Sequence, residues 1–136
     1  MDFLKSMMVA ASGLKAQSGR MRVIAENIAN ASSTGKRPGD EPYQRKIPTF
    51  QSEFDREMGV RVVELGKILP DRTEFELRYQ PGHPAANGEG YVQMPNVNTL
   101  VEAVDMREAQ RSYEANLNVV DATRKMMQRT LEILRA

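Results

Sequence analysis

The longest uninterrupted amphipathic pattern in this chain spans residues 100–134, and it constrains the fold more than any other feature. The segment contains no Gly or Pro. Its apolar and small residues recur in steps of three and four, the spacing of a coiled-coil seam rather than of a β-strand. A helix of this length extends about 50 Å at about 1.5 Å per residue, so it needs a partner along its apolar face. The stripe consists of Met106, Ala109, Tyr113, Leu117, Val120, Thr123, Met127, Leu131 and Leu134.

The start of this helix is predicted from Thr99 and Glu102, which have the spacing of a capping box. In a capping box the hydroxyl and the carboxylate accept hydrogen bonds from backbone N–H groups that lack partners in the first turn. Acidic residues gather in the first half of the segment and basic residues near its end, an order that the helix macrodipole favours. We therefore predict a C-terminal helix within residues 95–136.

A second amphipathic pattern in residues 3–30 predicts an N-terminal helix. Its stripe also steps strictly by three and four. Gly13 and Gly19 each weaken an isolated helix by about 1 kcal/mol, so we expect this helix to depend on packing. A stop is predicted at Asn30, ahead of a polar loop. The stripe consists of Leu4, Met7, Ala11, Leu14, Ser18, Met21, Ala25 and Ile28.

The residues between the two helices differ in pattern. Residues 60–65 and 73–79 alternate between apolar and polar side chains, which is typical of strands, and residues 43–50 form a third candidate limited by Pro48. We therefore predict a mainly α fold with a small β excursion, in which long N- and C-terminal helices pack as an antiparallel coiled coil. The expected divisions are an axial helix at 1–30, a loop and small β region at 31–94, and an axial helix at 95–136. The two helical segments together form one helical domain.

Composition excludes several classes of function. The net charge of +1 gives no electrostatic reason for binding nucleic acid. The chain has no Cys and one His, His83, which lies between Gly82 and Pro84 and is expected to be a turn residue. A thiolate–imidazole pair and a zinc site of the usual ligands are therefore absent. Glu102 and Asp105, one helical turn apart, are expected on a solvated or intersubunit face. We predict no enzyme activity, no catalytic residues, no cofactor and no metal.

The sequence also bears on membranes and secretion. No apolar run approaches the about 20 residues that a membrane-spanning helix needs, so no direct membrane insertion is expected. Residues 7–11 are apolar and follow Lys5, but the run is too short for a signal peptide and the helical period continues through it. We therefore expect export, if it occurs, without a cleaved signal peptide.

An interaction protein remains. Two long helices with apolar residues on more than one face cannot bury all of them in one hairpin, so further helices are expected as partners. One alternative is a soluble coiled-coil adaptor that forms a discrete dimer. The other is a subunit of an open helical assembly, because head-to-tail contacts that do not close produce filaments or tubes. The residues predicted to pack between subunits are Leu4, Met7, Ala11, Leu14, Met21, Ile28, Met106, Tyr113, Leu117, Val120, Met127, Leu131 and Leu134.

Several short motifs resemble a known family. The motifs lie near both ends of the chain and in the segment between them: residues 12–17 (SGLKAQ), 20–21 (RM), 27–30 (NIAN), 79–84 (YQPGHP), 90–92 (GYV), 95–98 (PNVN), Glu102, Met106 and 111–116 (RSYEAN). Together they resemble the signatures of bacterial flagellar rod and hook proteins. The short length is similar to that of proximal rod subunits, since distal rod and hook subunits carry an additional large middle domain.

The resemblance implies a structural subunit of the proximal rod of the flagellar basal body. Such a subunit polymerises into the periplasmic drive shaft that transmits torque and encloses the export channel. Its implied partners are other copies of itself, other flagellar rod subunits and the flagellar type III export apparatus. The family has no catalytic residues, so the resemblance implies none here.

Overall fold

The computed structural model describes residues 2–136 and contains two long helices with short strands between them. Helix α1 is Phe3–Ala29 and helix α2 is Thr99–Arg135. The strands are β1 (Lys46–Ile47), β2 (Phe50–Asp55), β3 (Val60–Leu65), β4 (Leu69–Pro70), β5 (Glu76–Tyr79) and β6 (Tyr91–Met94). The predicted mainly α class with a small β excursion is confirmed. Within residues 2–136, neither helix has an apolar stretch of the length and hydropathy needed to cross a bilayer.

Both helices begin at a capping side chain. Asp2 Oδ1 accepts hydrogen bonds from the backbone N–H groups of Leu4 (3.0 Å) and Lys5 (3.4 Å) at the start of α1. Asn98 Oδ1 accepts from the N–H groups of Leu100 (3.1 Å) and Val101 (3.3 Å) at the start of α2. The predicted capping box of Thr99 and Glu102 is therefore wrong. A side chain one residue earlier fills the cap, and the Glu102 carboxylate bonds elsewhere.

The strands form three separate antiparallel pairs, β1 with β4, β2 with β3, and β5 with β6. The strand predicted at 60–65 is confirmed as β3. The other two predicted strands are only partly paired: 76–79 of the segment 73–79 form β5, and of the segment 43–50 residues 46–47 form β1 while Phe50 begins β2. Strands β4 and β6 and the residues of β2 after Phe50 were not predicted. β2 has Gln, Glu and Asp on one side of its alternation and two exposed Phe with Ser on the other, a weak signal for a strand.

The chain divides into two compact units, each built from segments distant in sequence. The described part of unit 1 is residues 2–21, Thr49–Lys67 and Arg107–Ala136. Unit 2 is Arg22–Pro48 and Ile68–Met106. Each long helix therefore contributes residues to both units.

In unit 1, the β2–β3 hairpin and parts of both helices meet. Gly59 has a φ of 66°, a left-handed conformation that glycine adopts readily, and it closes the turn by donating from its N–H to Asp55 O at 2.8 Å. Ser12 Oγ of α1 accepts from the N–H of Val63 in β3 at 3.3 Å. The hairpin is thereby held against the first part of α1.

The two helices approach each other closely in unit 1. A Cβ placed on Gly13 would lie 2.7 Å from Asn116 Nδ2, so only glycine fits there without a shift of the neighbour. Arg20 Nη2 lies 3.3 Å from Glu108 Oε2. A later residue of α1 thus meets an earlier residue of α2, so these parts of the helices run in opposite directions.

Unit 2 contains the other buried residues of α1 and the third strand pair. Val23 and Ile24 of α1 are buried, and a small cluster of Ala85, Val92 and Met94 packs around β6. His83 lies in a turn, as predicted, with Nδ1 accepting from the N–H of Ala85 at 3.0 Å.

Candidate functional site: a buried ionic cluster and exposed helix faces

Glu102 of α2 is the centre of a buried polar cluster in unit 2. Its side chain is 1% exposed. Oε1 accepts a hydrogen bond from Arg45 Nε, and Oε2 lies 3.4 Å from Asn27 Nδ2. Arg45 also pairs with Asp71, whose Oδ2 lies 3.2 Å from Nη1. Because a buried carboxylate is costly unless it is paired and hydrogen-bonded, Arg45 is what allows Glu102 to be buried.

Asn27 of α1 is fully buried, and its side-chain amide forms hydrogen bonds to both the backbone C=O and the backbone N–H of Lys46. Nδ2 donates to Lys46 O at 2.8 Å, and Oδ1 accepts from the N–H of Lys46 at 2.9 Å. Oδ1 also accepts from Tyr43 Oη at 2.8 Å. With its contact to Glu102, this amide uses its full donor and acceptor capacity. It therefore ties the end of α1 to the segment that enters β1.

Asn96 ties the same segment to the residues after β4. Its Oδ1 accepts from the N–H of Arg45 at 2.8 Å, and its Nδ2 donates to Asp71 O at 2.9 Å and to Thr73 O at 3.2 Å. Segments around residues 27, 45, 71, 96 and 102 are thus joined through side-chain hydrogen bonds.

The electrostatics of the cluster favour the charged forms of Arg45 and Asp71 and the neutral form of Tyr43. Burial lowers the pKa of Arg45, but the hydrogen bonds and charges of Glu102 and Asp71 outweigh it, so the pKa is raised overall. The hydrogen bond from the Thr73 backbone, followed by that from its side chain and by Arg45, lowers the pKa of Asp71. Burial, and then the charge of Glu26, raises the pKa of the Tyr43 hydroxyl. The arrangement holds an ion pair in place and offers no uncommitted base or nucleophile.

The expectation that Glu102 lies on a solvated or intersubunit face is wrong. The signal that could have located it is its position four residues before Met106, where it continues the apolar stripe of α2. Asn27 likewise follows Val23 and Ile24 by three or four residues. A polar residue in line with a buried stripe indicates a buried polar contact, and its partner Arg45 lies in a loop that periodicity does not describe.

The predicted subunit-packing residues fall into two groups in the structure. Met7, Leu14 and Met21 of α1 are half-buried, as are Met106, Tyr113, Val120 and Met127 of α2. Leu4, Ala11, Ile28, Leu117, Leu131 and Leu134 are exposed, with Leu131 at 59% and Leu134 at 76%. Their contacts with other subunits remain a prediction.

The most buried helix positions show which faces the single chain covers. On α2 they are Glu102, Ala109 and Thr123, of which Ala109 and Thr123 lie on the predicted stripe. On α1 they include Ala10, Ala16 and Ile24, which lie beside the predicted stripe. The N-terminal stripe itself is therefore less covered than the C-terminal one, which leaves it available to partners.

Two open clefts accompany these surfaces. In unit 1 a groove of about 460 Å³ is lined by Lys5, Ser6, Val9, Ala10, Asn116 and Val119. In unit 2 a cleft of about 490 Å³ includes Asp40, Glu41 and Tyr91 in its lining. The Asp40 carboxylate already accepts from the N–H of Arg37 at 3.1 Å. Across residues 2–136, no group of three or more His, Asp or Glu side chains is arranged to hold a metal ion.

Comparison with known proteins shows consistent similarity along the chain. The family described as flagella basal body rod protein matches residues 7–35, and the one described as flagellar basal body rod FlgEFG protein C-terminal matches residues 89–133. The chain is 52% identical to the flagellar basal-body rod protein FlgC of Agrobacterium fabrum, over 94% of this chain and 92% of that protein. It is 39% identical to FlgC of Bacillus subtilis over 98% of this chain and 99% of the relative. For FlgC of Salmonella typhimurium, identity is 39% over 92% of each.

Proposed function

Because this chain belongs to the FlgC family of flagellar basal-body rod proteins, we propose that it polymerises into the axial shaft of the basal body. The chain is a structural subunit of the rod, and the family resemblance predicted from its motifs is confirmed. The shaft contains other copies of this chain and other rod subunits. It lies in the periplasm as the proximal rod, transmits motor torque and encloses the export channel.

The observation that carries the proposal is the amount of apolar side chain exposed on the helices. Large apolar residues of α2 remain exposed toward its C-terminal end, where they occupy more than one face. Such exposure is typical of surfaces that bind other proteins. The residues are Leu117, Val119, Met126, Leu131, Ile133 and Leu134, and on α1 they include Leu4 and Val9.

We propose that α1 and α2 pack as an antiparallel coiled coil, with 1–30 and 95–136 as one helical domain. The close approach of Gly13 to Asn116 and the ion pair of Arg20 with Glu108 support this order within unit 1. In the assembly the helices lie near the axis, and residues 31–94 form an outer or lateral contact element. The stripes predicted from the sequence then provide the contacts between subunits.

Torque transmission follows from many small contacts along the helices. Each pair of non-bonded heavy atoms contributes only about 0.1–0.2 kcal/mol, but long packed helices accumulate many of them. A net charge of +1 allows like subunits to crowd together without strong repulsion. The role is mechanical, and the chain is proposed to catalyse no reaction.

Export is proposed to occur through the flagellar type III apparatus, without a cleaved signal peptide. The segment 7–11 lies inside the continuous helix α1, which supports its role as structure. Helices of this kind owe most of their stability to packing. A chain passing through the export apparatus therefore gives up little helix stability by remaining unfolded until it packs into the growing shaft.

The proposal is tested by deleting the gene in the bacterium that encodes the chain and restoring a tagged copy. We expect swimming to return and the tagged chain to appear in isolated basal bodies. Leu131→Asp, produced at the same level, serves as the control because its charge would be placed among apolar contacts. Recovery of the functional tagged chain only as a discrete soluble dimer, absent from basal bodies, would favour the adaptor alternative instead.

A further inference from the structure

We infer that the buried ionic cluster sets the register of the β1–β4 pair in unit 2, which makes Arg45 and Glu102 positioning residues. The β pair joins Lys46 to Pro70 and Ile47 to Leu69. This register is a property of unit 2 in the single chain and does not depend on polymerisation. Only its effect on assembly rests on the proposed function.

The β1–β4 ladder is too short for its own hydrogen bonds and side chains to fix its register. Each strand has two residues, and Pro70 has no N–H to donate. Burial does not select a face either, because Ile68 and Leu69 are consecutive apolar residues and both are exposed. Register is weakly specified where the two faces of a strand do not differ in this way.

Polar contacts supply what the ladder lacks. The N–H of Asp71 donates to Arg45 O at 2.8 Å, and Gln44 Nε2 donates to Asp71 O at 2.8 Å. The N–H of Arg45 donates to Asn96 Oδ1, and its guanidinium reaches both Asp71 and Glu102. The bonds that involve Asp71 require residues 44 and 45 to lie beside it, and the bonds to Asn96 and Glu102 fix the position of Arg45.

A slip of β1 by one residue would break this set together. It would move Arg45 by about 3.3 Å along the strand and turn its side chain to the other face. Glu102, which is 1% exposed, would then be buried without a cation. Paired, the two charges give little net stability, because replacing a buried ion pair with apolar residues is often neutral or stabilising. The cluster therefore acts mainly by excluding the wrong registers.

The test uses cysteine pairs in this cysteine-free chain. Opposed residues of an antiparallel pair are close enough for a disulfide, so Ile47→Cys with Leu69→Cys reports the native register. Ile47→Cys with Ile68→Cys reports a slip of one residue. Both pairs are oxidised in the parent chain and in a chain that also carries Arg45→Met and Glu102→Leu.

We expect the parent to form only the 47–69 disulfide. The chain without the ionic pair should still unfold cooperatively, with a urea midpoint at or above that of the parent, and should form the 47–68 disulfide as well. Formation of the 47–69 disulfide alone would show that other contacts set the register. Loss of cooperative unfolding would show that the pair acts through stability, and this result too would overturn the inference.

The consequence for assembly is measured separately. Cells carrying Arg45→Met with Glu102→Leu should swim less well than cells with the parent chain, since a rod admits one conformation of its subunit. Failure of the parent itself to enter basal bodies would contradict the proposed function while leaving the disulfide result unaffected.

Discussion

Replacement of Gly13 by alanine is predicted to destabilise the chain, against the usual effect of this substitution in a helix. Alanine is favoured over glycine by about 0.8–1.0 kcal/mol in a helix interior. At Gly13, however, the new Cβ would lie 2.7 Å from Nδ2 and 2.9 Å from Cγ of Asn116. The Asn116 amide is also engaged, because Nδ2 donates to Ser112 O at 3.0 Å.

The magnitude follows from these two opposing effects. Overpacking of a tight contact typically costs about 1–3 kcal/mol. Subtracting the gain in helix propensity leaves an expected loss of about 0–2 kcal/mol for Gly13→Ala. When Asn116→Ala removes the obstructing amide, the same substitution should instead stabilise by about 1 kcal/mol. The coupling between the two positions is therefore expected to be about 2 kcal/mol, within the range for residues in contact.

Gly19→Ala is the matched control, since it places the same substitution in the same helix. Its Cβ would meet Leu65 Cδ2 at 2.8 Å, and that methyl group is the far end of a flexible side chain. We expect Gly19→Ala to be neutral or stabilising by up to about 1 kcal/mol. Urea unfolding followed by circular dichroism at several protein concentrations measures all four variants. A Gly13→Ala chain as stable as Gly19→Ala, with no response to Asn116→Ala, would refute the close approach of α1 and α2.

Three further predictions concern other parts of the chain. Arg45→Met alone should cost about 3–5 kcal/mol, because it leaves a buried carboxylate unpaired, whereas Arg20→Met at an exposed ion pair should cost under about 1 kcal/mol; urea unfolding compares them. Glu64→Gln should raise the melting temperature at pH 7. The hydrogen bond and the charge of Glu64 raise the pKa of Glu53, so the parent chain binds that proton more tightly when folded than when unfolded and loses stability as pH rises through this pKa. The gain in melting temperature should therefore vanish well below pH 4.5. Leu131→Asp should abolish swimming while soluble expression persists, and wild-type swimming at equal expression would count against a packed role for this side chain.

Helical periodicity predicted the parts of the fold that repeat. The alternation of apolar and polar residues placed strand β3, and the polar loop after Asn30 placed the end of α1. Helical periodicity placed both long helices, because a continuous pattern is reinforced over several turns. It also placed Ala109 and Thr123 on the buried face of α2. On α1 the buried positions Ala10, Ala16 and Ile24 lie beside the predicted stripe, and the close approach of Gly13 to Asn116 is a contact that hydropathy does not indicate.

The ionic cluster could not be predicted in the same way. Its members are Asn27 and Glu102 at two helix ends and Arg45 and Asp71 in two loops. The hydrogen bonds between them join residues far apart in sequence, and periodicity describes only neighbours along one element. Glu102 illustrates the difficulty. Its spacing from Thr99 matches a capping box, but the side chain that caps α2 is that of Asn98, the residue before Thr99. Only the placement of Arg45 beside it decides which bond the carboxylate makes.

The central claim, that this subunit builds the rod through its exposed helix faces, is tested most directly by electron cryo-microscopy. Basal bodies isolated from cells that carry the tagged chain as their only copy provide the sample. We predict density for α1 and α2 inside the proximal rod, near its axis, with Leu131 and Leu134 buried against helices of neighbouring subunits. A rod in which the chain is present but these side chains face solvent, with subunits joined through residues 31–94 alone, would contradict the account.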